Sequence, residues 1–332
     1  MRITQLRLLL AIAETGSLRS SAQVMNLTQP ALTKALRLLE DELGAPLVTR
    51  TPHGARLAPA GELVAARAAT ALRELDRARE EVAAWAGGAD ARVAVGLSPA
   101  AAVLLAPGAV ARLSMRWPRV EVRLVDALFP RALALVRSGE LDFAVGPLPE
   151  DRLDGDLGVR PLFESQTIVV ARQGHPLGRA TRLRDLAAAQ WILTGPAGGP
   201  GDPAALGFEA CGTPPPRARL TCESFSTLIA LVGSLDAVCA LPAPFFERHG
   251  ARLGLARLQI VDPLPTLTIR AAWRTDARLT LPAQRLLDAF AEEARGLSKV
   301  VTPTPAAALS QRKRPARGTS KARGRDERGD KG

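Results

Sequence analysis

The stretch Asn26–Gly44, NLTQPALTKALRLLEDELG, constrains the fold of this chain more than any other. Leu32, Leu36, Leu39 and Leu43 recur at spacings of 4, 3 and 4, the apolar stripe of an amphipathic helix. A proline stands close to its start. With Thr28 as N-cap, Pro30 falls in the first turn, where its missing N–H costs no intrahelical bond and its fixed φ stiffens the helix entry. The proline therefore marks where the helix begins and which side chains lead it. The face away from the leucines carries Gln29, Pro30, Thr33, Lys34 and Arg37, with no carboxylate before Glu40. Amide, hydroxyl and cationic groups are the types that contact base edges and phosphates. A merely solvated face of a helical hairpin would mix acids with those cations.

Two short helices precede it. Residues 4–14 set Leu6, Leu9, Leu10 and Ala13 on one face, and Ser17 caps LRSSAQVM, which buries Leu18, Ala22 and Met25. Asn26-Leu27 is the turn. Two short helices joined tightly, the second with such a polar face, form a helix-turn-helix. After Gly44, LVTRTPHGARLAPAGE reads as two short strands around Pro52-His53-Gly54. This is a wing, whose Arg50, His53 and Arg56 are placed for backbone phosphate or the minor groove.

Residues 59–88 form one long helix and the link to the rest of the chain. Val64, Ala68, Ala71, Leu75, Ala78, Val82 and Trp85 alternate at spacings of 4 and 3, a coiled-coil seam. Arg67, Arg73, Glu74, Arg77, Glu80 and Glu81 occupy the other faces, and Gly87-Gly88 ends the helix. Small seam residues between polar faces favour dimerisation over packing on the helix's own domain.

Residues 91–297 alternate short apolar strands with helices. Strand RVAVGL leads to a helix over 101–116, strand VEVRLVD, a helix over 130–138, and strands LDFAVG and SQTIVVAR. A second cycle follows His175-Pro176: a helix over 183–189, WILT, ARLTCES, a helix over 226–235, AVCALP, the late strand LTIRAAWR and the closing helix LPAQRLLDAFAEEA. Elements of this size imply parallel sheets with crossover helices. Two such halves predict a bilobed sensor, lobe I over 91–165 and 268–297 and lobe II over 166–267, with a ligand in the cleft between them. Such ligands sit beyond the carboxyl ends of strands, near helix N-termini. Ser98, Pro99 and Ala100 follow the first strand, and Ala127 and Phe129 the second. Gly195, Gly199, Pro200 and Gly201 lie in GPAGGPG after WILT; Cys222, Glu223, Ser224 and Phe225 end ARLTCES. Hydroxyls and bare N–H groups there suit a carboxylate or sulfonate. Ser98 and Ser224 also have the plainer reading of helix caps.

Composition narrows the class. At 332 residues and 47% hydrophobic content the chain holds two or three cores. No run of 18 apolar residues spans a membrane, and Glu14 interrupts the apolar start, so the chain reads as cytoplasmic, without a signal peptide. Three cysteines at unrelated spacings exclude a disulfide framework; Cys211 and Cys222 read as small buried residues and not as redox sensors. Three scattered histidines form no metal cluster, and no Ser/His/acid or paired-carboxylate constellation stands out. GPAGGPG lacks a following Gly-Lys-Ser/Thr and is no phosphate loop. The chain reads as neither enzyme nor cofactor protein. Of the net charge of +11, much lies in residues 311–332, with nine Lys/Arg against three Asp/Glu. Residues 298–332 read as a disordered basic tail, a solubilising extension or a contact for nucleic acid.

SSAQVM, TQPALT, LEDELG, LVTR and LAPAG occur in order over residues 1–62. In this they resemble the LysR-type transcriptional regulators. Ser21, Val48 and Ala58 depart from the usual alanine, phenylalanine and threonine. The resemblance implies an N-terminal winged helix-turn-helix, a linker helix and a regulatory domain like the periplasmic binding proteins. It also implies homodimers paired into homotetramers on promoter DNA, with a small effector altering DNA bending and contact with RNA polymerase. The segments LSPA, GPG and CESF resemble the branch that controls catabolism of aromatic sulfonates and related acids, implying an aromatic or acidic effector and a catabolic operon. The competing class is a small-molecule binding protein or α/β enzyme whose N-terminal helices mediate assembly.

Overall fold

The computed structural model describes residues 1–298 apart from residues 53, 86–90, 196, 198, 200 and 201, with backbone alone at residues 80, 81, 83–85 and 151. His53, Gly87-Gly88, Pro200, Gly201, the Trp85 side chain and the basic tail from residue 299 lie outside the described residues; Ser298 closes a helix.

Helices α1 (Ile3–Thr15), α2 (Leu18–Val24) and α3 (Gln29–Leu43) build the N-terminal unit. Ser17 Oγ accepts from Ser20 N at 3.3 Å, and Thr28 Oγ1 from Ala31 N at 3.4 Å. Asn26 turns the chain between them at φ +53°, a conformation asparagine tolerates. Leu32, Leu36 and Leu39 are buried against Leu8, Leu9, Ile12, Leu18 and Ala22, about 2 kcal/mol for each leucine. Two expectations fail at helix ends and edges. Leu43 is 41% exposed because Gly44 stops the helix there, and Ala13 is exposed while Leu8 and Ile12 take the buried positions. The unusual Ser21 is fully buried, its hydroxyl donating to Ser17 O at 2.7 Å.

Strands β1 (Val48–Thr51) and β2 (Gly54–Leu57) form the wing, tied to α3 through Glu40, whose Oε1 accepts from Leu47 N and Val48 N. Gly54, at φ +138°, admits no side chain: a Cβ would lie 2.3 Å from Gly16 O. Helix α4 (Pro59–Trp85) then crosses the wing, and a Cβ on Gly61 would lie 2.0 Å from Leu47 O.

The remainder is one hydrogen-bonded sheet. Its strands are β3 (Arg92–Leu97), β4 (Glu121–Asp126), β5 (Phe143–Pro147), β6 (Leu157–Arg172), β7 (Gln190–Leu193), β8 (Leu220–Thr221), β9 (Ala237–Pro242), β10 (Leu255–Arg257) and β11 (Thr266–Arg274). They lie in the order β4-β3-β5-β11-β6-β9-β7-β8, with β10 on β6. β3 runs parallel to β4 and β5, and β7 to β8 and β9; the joins through β6 and β11 are antiparallel. The sheet is therefore mixed, where two parallel sheets were expected. The strand expected over SQTIVVAR begins eight residues earlier, at Leu157, so the expected lobe border at 165/166 falls inside one strand. Leu162 is the extra residue of a bulge on β6, since Ile269 pairs with Phe163 and Arg270 with Pro161, which has no N–H to give.

The helices are α5 (Pro99–Leu104), α6 (Ala106–Arg116), α7 (Arg131–Ser138), α8 (Pro203–Ala210), α9 (Phe225–Ser234), α10 (Ala243–His249) and α11 (Leu281–Ser298). The helix expected over 101–116 divides at Leu105, and that over 183–189 shrinks to a 3-10 turn, Leu183–Leu186. A core running from Val95 and Phe143 to Ile168, Val170 and Cys239 joins the two halves, with Phe143 edge-on to Phe290 at 5.9 Å. A separate cluster under β7 centres on Trp191, edge-on to Phe208 at 5.7 Å and donating to Leu186 O.

Candidate nucleic-acid interface and effector cleft

The capped start of α3 projects Gln29, Pro30, Lys34 and Arg37 as exposed groups, with Thr33 half-buried beside them. The leucines behind them fix the rotation of the helix about its axis, so this face is set by the core. In the wing, Arg50 pairs across with Ala55 and Arg56 with Thr49. Opposed residues of an antiparallel pair share a face, so the two exposed arginines project from opposite faces of the ribbon. Among the described residues Lys34, Arg37, Arg50 and Arg56 make no ion pair. Four cations are thus left to meet anions from outside.

The seam on α4 is divided in two. Ala68 is buried with Leu6 and Leu72, and Val64 packs on the N-terminal core, so these two positions belong to their own domain. Further along, Ala71, Leu75, Ala78 and Val82 form an exposed stripe, Leu75 at 43% and Val82 at 67%. The wider, 3.6-residue turn of a straight helix explains the division: a 3.5-residue seam drifts around it and leaves the domain after two turns.

A cavity of about 60 Å³ opens between the two halves of the sheet. Ser98, Pro99, Ala100, Leu128 and Pro147 wall it from the β3 side, and Thr194, Pro203, Phe225 and Leu241 from the β9 side. The crossing strands supply Ser165, Thr167, Leu267 and Ile269. Among the described residues none that lines it is charged. Ser98 is buried and caps α5, accepting from Ala101 N at 3.3 Å, so the same side chain caps a helix and walls the cavity.

Of the residues expected there, Ser98, Pro99, Ala100 and Phe225 come together. Ala127 and Phe129 instead pack with Leu133, Val136 and Leu141 beneath the sheet. Glu223 and Ser224 are exposed because β8 ends at Thr221, and Ser224 caps α9, while Cys222 packs half-buried against the core beside the cavity and does not line it. Gly195 is buried off the cavity, and Gly199 borders a different hollow. Sequence reasoning missed Ser165 and Thr167, since they lie mid-strand on β6; two short polar residues beside an apolar strand run were their only signal. Cys211 is exposed, against the expectation that it is buried, while burial pushes the Cys239 thiol up. Among the described residues no cluster of His, Cys, Asp or Glu could hold a metal, and no helix is long and apolar enough to cross a membrane.

A winged helix-turn-helix, a long linker helix and an α/β domain with an internal cleft together make an effector-responsive, DNA-binding transcriptional regulator. The chain belongs to the LysR family: residues 3–62 match the bacterial regulatory helix-turn-helix protein of the lysR family, and residues 86–295 match the LysR substrate binding domain. It is 27% identical over 277 residues to the HTH-type transcriptional regulator TdcA of Escherichia coli strain K12, across 83% of this chain and 88% of that protein. It is 28% identical over 293 residues to the DNA-binding transcriptional dual regulator OxyR of the same strain, across 87% and 95%. The solved structure of CbnR, a LysR family transcriptional regulator, superposes with a TM-score of 0.65 at 19% identity, covering 89% of this chain and 99% of that one. Full-length CbnR complexed with its target DNA superposes at 0.64 with 21% identity, covering 90% and 100%. The relatives are regulators, which sets aside the reading as an α/β enzyme.

Proposed function

We propose that this regulator acts in the cytoplasm as a homodimer, paired further into a homotetramer, on the promoter of a catabolic operon. The domain limits follow the sequence reading: 1–58 for DNA, 59–88 for pairing, 91–297 for the effector. Gln29 and Thr33 address base edges, Thr28, Pro30, Lys34 and Arg37 set the approach of α3, and Arg50 and Arg56, with His53 at the wing turn, meet the phosphates. The exposed stripe Ala71, Leu75, Ala78 and Val82 joins two copies, with Trp85 assigned to the same seam by its sequence spacing. In the cleft, Ser98, Ser165 and Thr167 offer hydroxyls to a small ligand carrying at most one negative charge, while Leu128, Phe225 and Ile269 cover its apolar body. A small aromatic or acidic molecule has that chemistry, and its entry requires the lobes to part, because the cavity of about 60 Å³ is smaller than such a ligand. RNA polymerase is the further partner on the promoter.

The observation that carries this reading is the acid-free leading face of α3, whose cations have no ion-pair partner among the described residues. The experiment is a gel shift on the chain's upstream intergenic DNA at two stated salt concentrations. A Gln29→Ala/Thr33→Ala variant is expected to lose sequence-specific binding, and a chain lacking residues 311–332 to retain it. Specific binding that survives the double substitution, or disappears with the tail alone, sinks the assignment.

A further inference from the structure

On β11 the side chains alternate strictly, because the bulge that breaks its pairing sits on β6 at Leu162. Ile269 faces the interlobe cavity; Thr266, Thr268 and Arg270 face the other way. On that second side lies a hollow of about 310 Å³, larger than the cavity between the lobes and within the range of small-ligand sites. Leu148, Pro149 and Leu206 give it apolar walls, and among the described residues Arg270 is the one charged member of its lining. Pro147, Pro203 and Leu267 are common to both spaces, so the two sites share walls.

The guanidinium of Arg270 is held in an unusual way. Nη1 donates to Leu148 O at 3.0 Å and to Thr268 O at 3.4 Å, which fixes the plane of the group. Nη2 meets Glu150 Oε2 at 3.1 Å. The Arg270 side chain is only 16% exposed, whereas that of Glu150 is 86% exposed. Its counter-ion is therefore a carboxylate in open solvent, whose release costs little. Nε has no acceptor among the described residues. A planar carboxylate arriving from the hollow can take Nε–H and Nη2–H side by side, displacing Glu150 and leaving the Nη1 bonds intact.

We propose that this hollow is a second ligand site, distinct from the interlobe cleft. It takes a small monocarboxylate with an apolar body: Arg270 binds the carboxylate, Thr266 and Thr268 flank it, and Leu148, Pro149 and Leu206 cover the hydrocarbon. Glu150 is the internal competitor that the ligand replaces. Through Pro147, Pro203 and Leu267, occupancy there bears on the walls of the cleft.

The test is isothermal titration of the full-length chain with hexanoate and benzoate, and with benzamide as the uncharged isostere of benzoate. Saturable binding of at least one carboxylate and none of benzamide is expected. Arg270→Gln should weaken the carboxylate about tenfold or more. Glu150→Gln should strengthen it about threefold, a gain that a folding defect cannot produce. Ala240→Leu, which fills the interlobe cavity from β9, should leave this binding in place. Absence of binding by both carboxylates, an unchanged affinity in Arg270→Gln, an unchanged or weakened affinity in Glu150→Gln, or loss in Ala240→Leu overturns the proposal.

Discussion

Arg77 of the linker helix donates Nη2 to Asp142 Oδ1 at 2.9 Å, joining the helix that carries the DNA-binding unit to the sheet that carries the cleft. The same nitrogen reaches Gly139 O at 3.3 Å, and Asp142 Oδ2 accepts from Ala94 N at 2.8 Å. Thr70 and Arg73 donate to Ser138 O, and Glu74 accepts from Arg274 Nη1 at 3.0 Å. Residues 70, 73, 74 and 77 share one face of α4, and that face grips the C-terminal end of α7. Unpaired carbonyls and the negative end of the helix dipole make such an end a natural seat for guanidinium groups. One turn of α4 is thus packed on α1 and the next is fastened to lobe I.

The Arg77–Asp142 pair makes stability depend on pH in a defined direction. Burial pushes the Asp142 carboxyl above its ordinary value, with Arg77 and the Ala94 N–H pulling back the other way. A carboxyl raised in the folded state favours that state in acid, and this contribution is lost as pH rises through the folded value. Arg77→Gln removes a lowering influence, so the ionised carboxylate is left buried without its cation. The loss in stability is expected to be about 1–2 kcal/mol near neutrality and to shrink below the carboxylate range, where Asp142 is protonated in both proteins. Thermal melts of both proteins at several pH values measure this; a gap that widens toward acid contradicts it.

Gly61 is a second point of close approach. A methyl group there would lie 2.0 Å from the Leu47 carbonyl oxygen, which also accepts from Ala58 N at 2.9 Å. Backbone on both sides leaves nothing flexible to yield. Gly61→Ala is expected to cost about 2–3 kcal/mol despite alanine's better helix propensity. Gly296→Ala, in the closing helix with open space around it, is expected to be neutral or mildly stabilising. Chemical denaturation of both variants checks the contrast, and equal effects would show that helix propensity and not the Leu47 contact decides.

The proposed pairing stripe gives a third expectation. Leu75 and Val82 are exposed in the single chain, so a charge at either does little to its fold. Leu75→Glu is expected to shift the protein toward monomer in sedimentation velocity and to weaken operator binding, with a melting curve close to that of the parent once dissociated. Glu at Ala68 would instead unfold the N-terminal contact with Leu6 and Leu72. Unchanged sedimentation of Leu75→Glu refutes the stripe.

The N-terminal unit was legible because its signals are local. A cap, a first-turn proline and a leucine spacing act within four residues of one another, and Thr28, Pro30 and Leu32 behave as their positions require. The strand AVCALP was equally plain and is β9 to the residue. The regulatory cleft was harder because its walls are set by register across the sheet. Ser165 and Thr167 line the cavity because β6 continues unbroken from one half to the other, and no residue near them announces that continuity. Ala127 was misplaced for a related reason: a residue after a strand's carboxyl end faces the cleft on one side of the sheet and the core on the other. Here Ala127 N bonds Leu97 O, extending the ladder and turning the side chain inward.

Salt dependence separates the two kinds of DNA contact proposed for α3 and the wing. Each phosphate neutralised by a cation contributes about 0.9 to the slope of log K against log salt concentration. Lys34→Ala and Arg50→Ala are each expected to lower that slope by about 1 while weakening operator and unrelated DNA alike. Gln29→Ala should leave the slope unchanged and reduce the preference for operator, because an amide releases no counterion. Arg50 and Arg56 leave the wing from opposite faces, so their effects should add with little coupling. Fluorescence anisotropy with operator and scrambled duplexes over a salt series measures these three variants, together with Arg56→Ala and the Arg50→Ala/Arg56→Ala double. A slope that falls with Gln29→Ala, or stays constant with Lys34→Ala, reverses the roles assigned to these two residues.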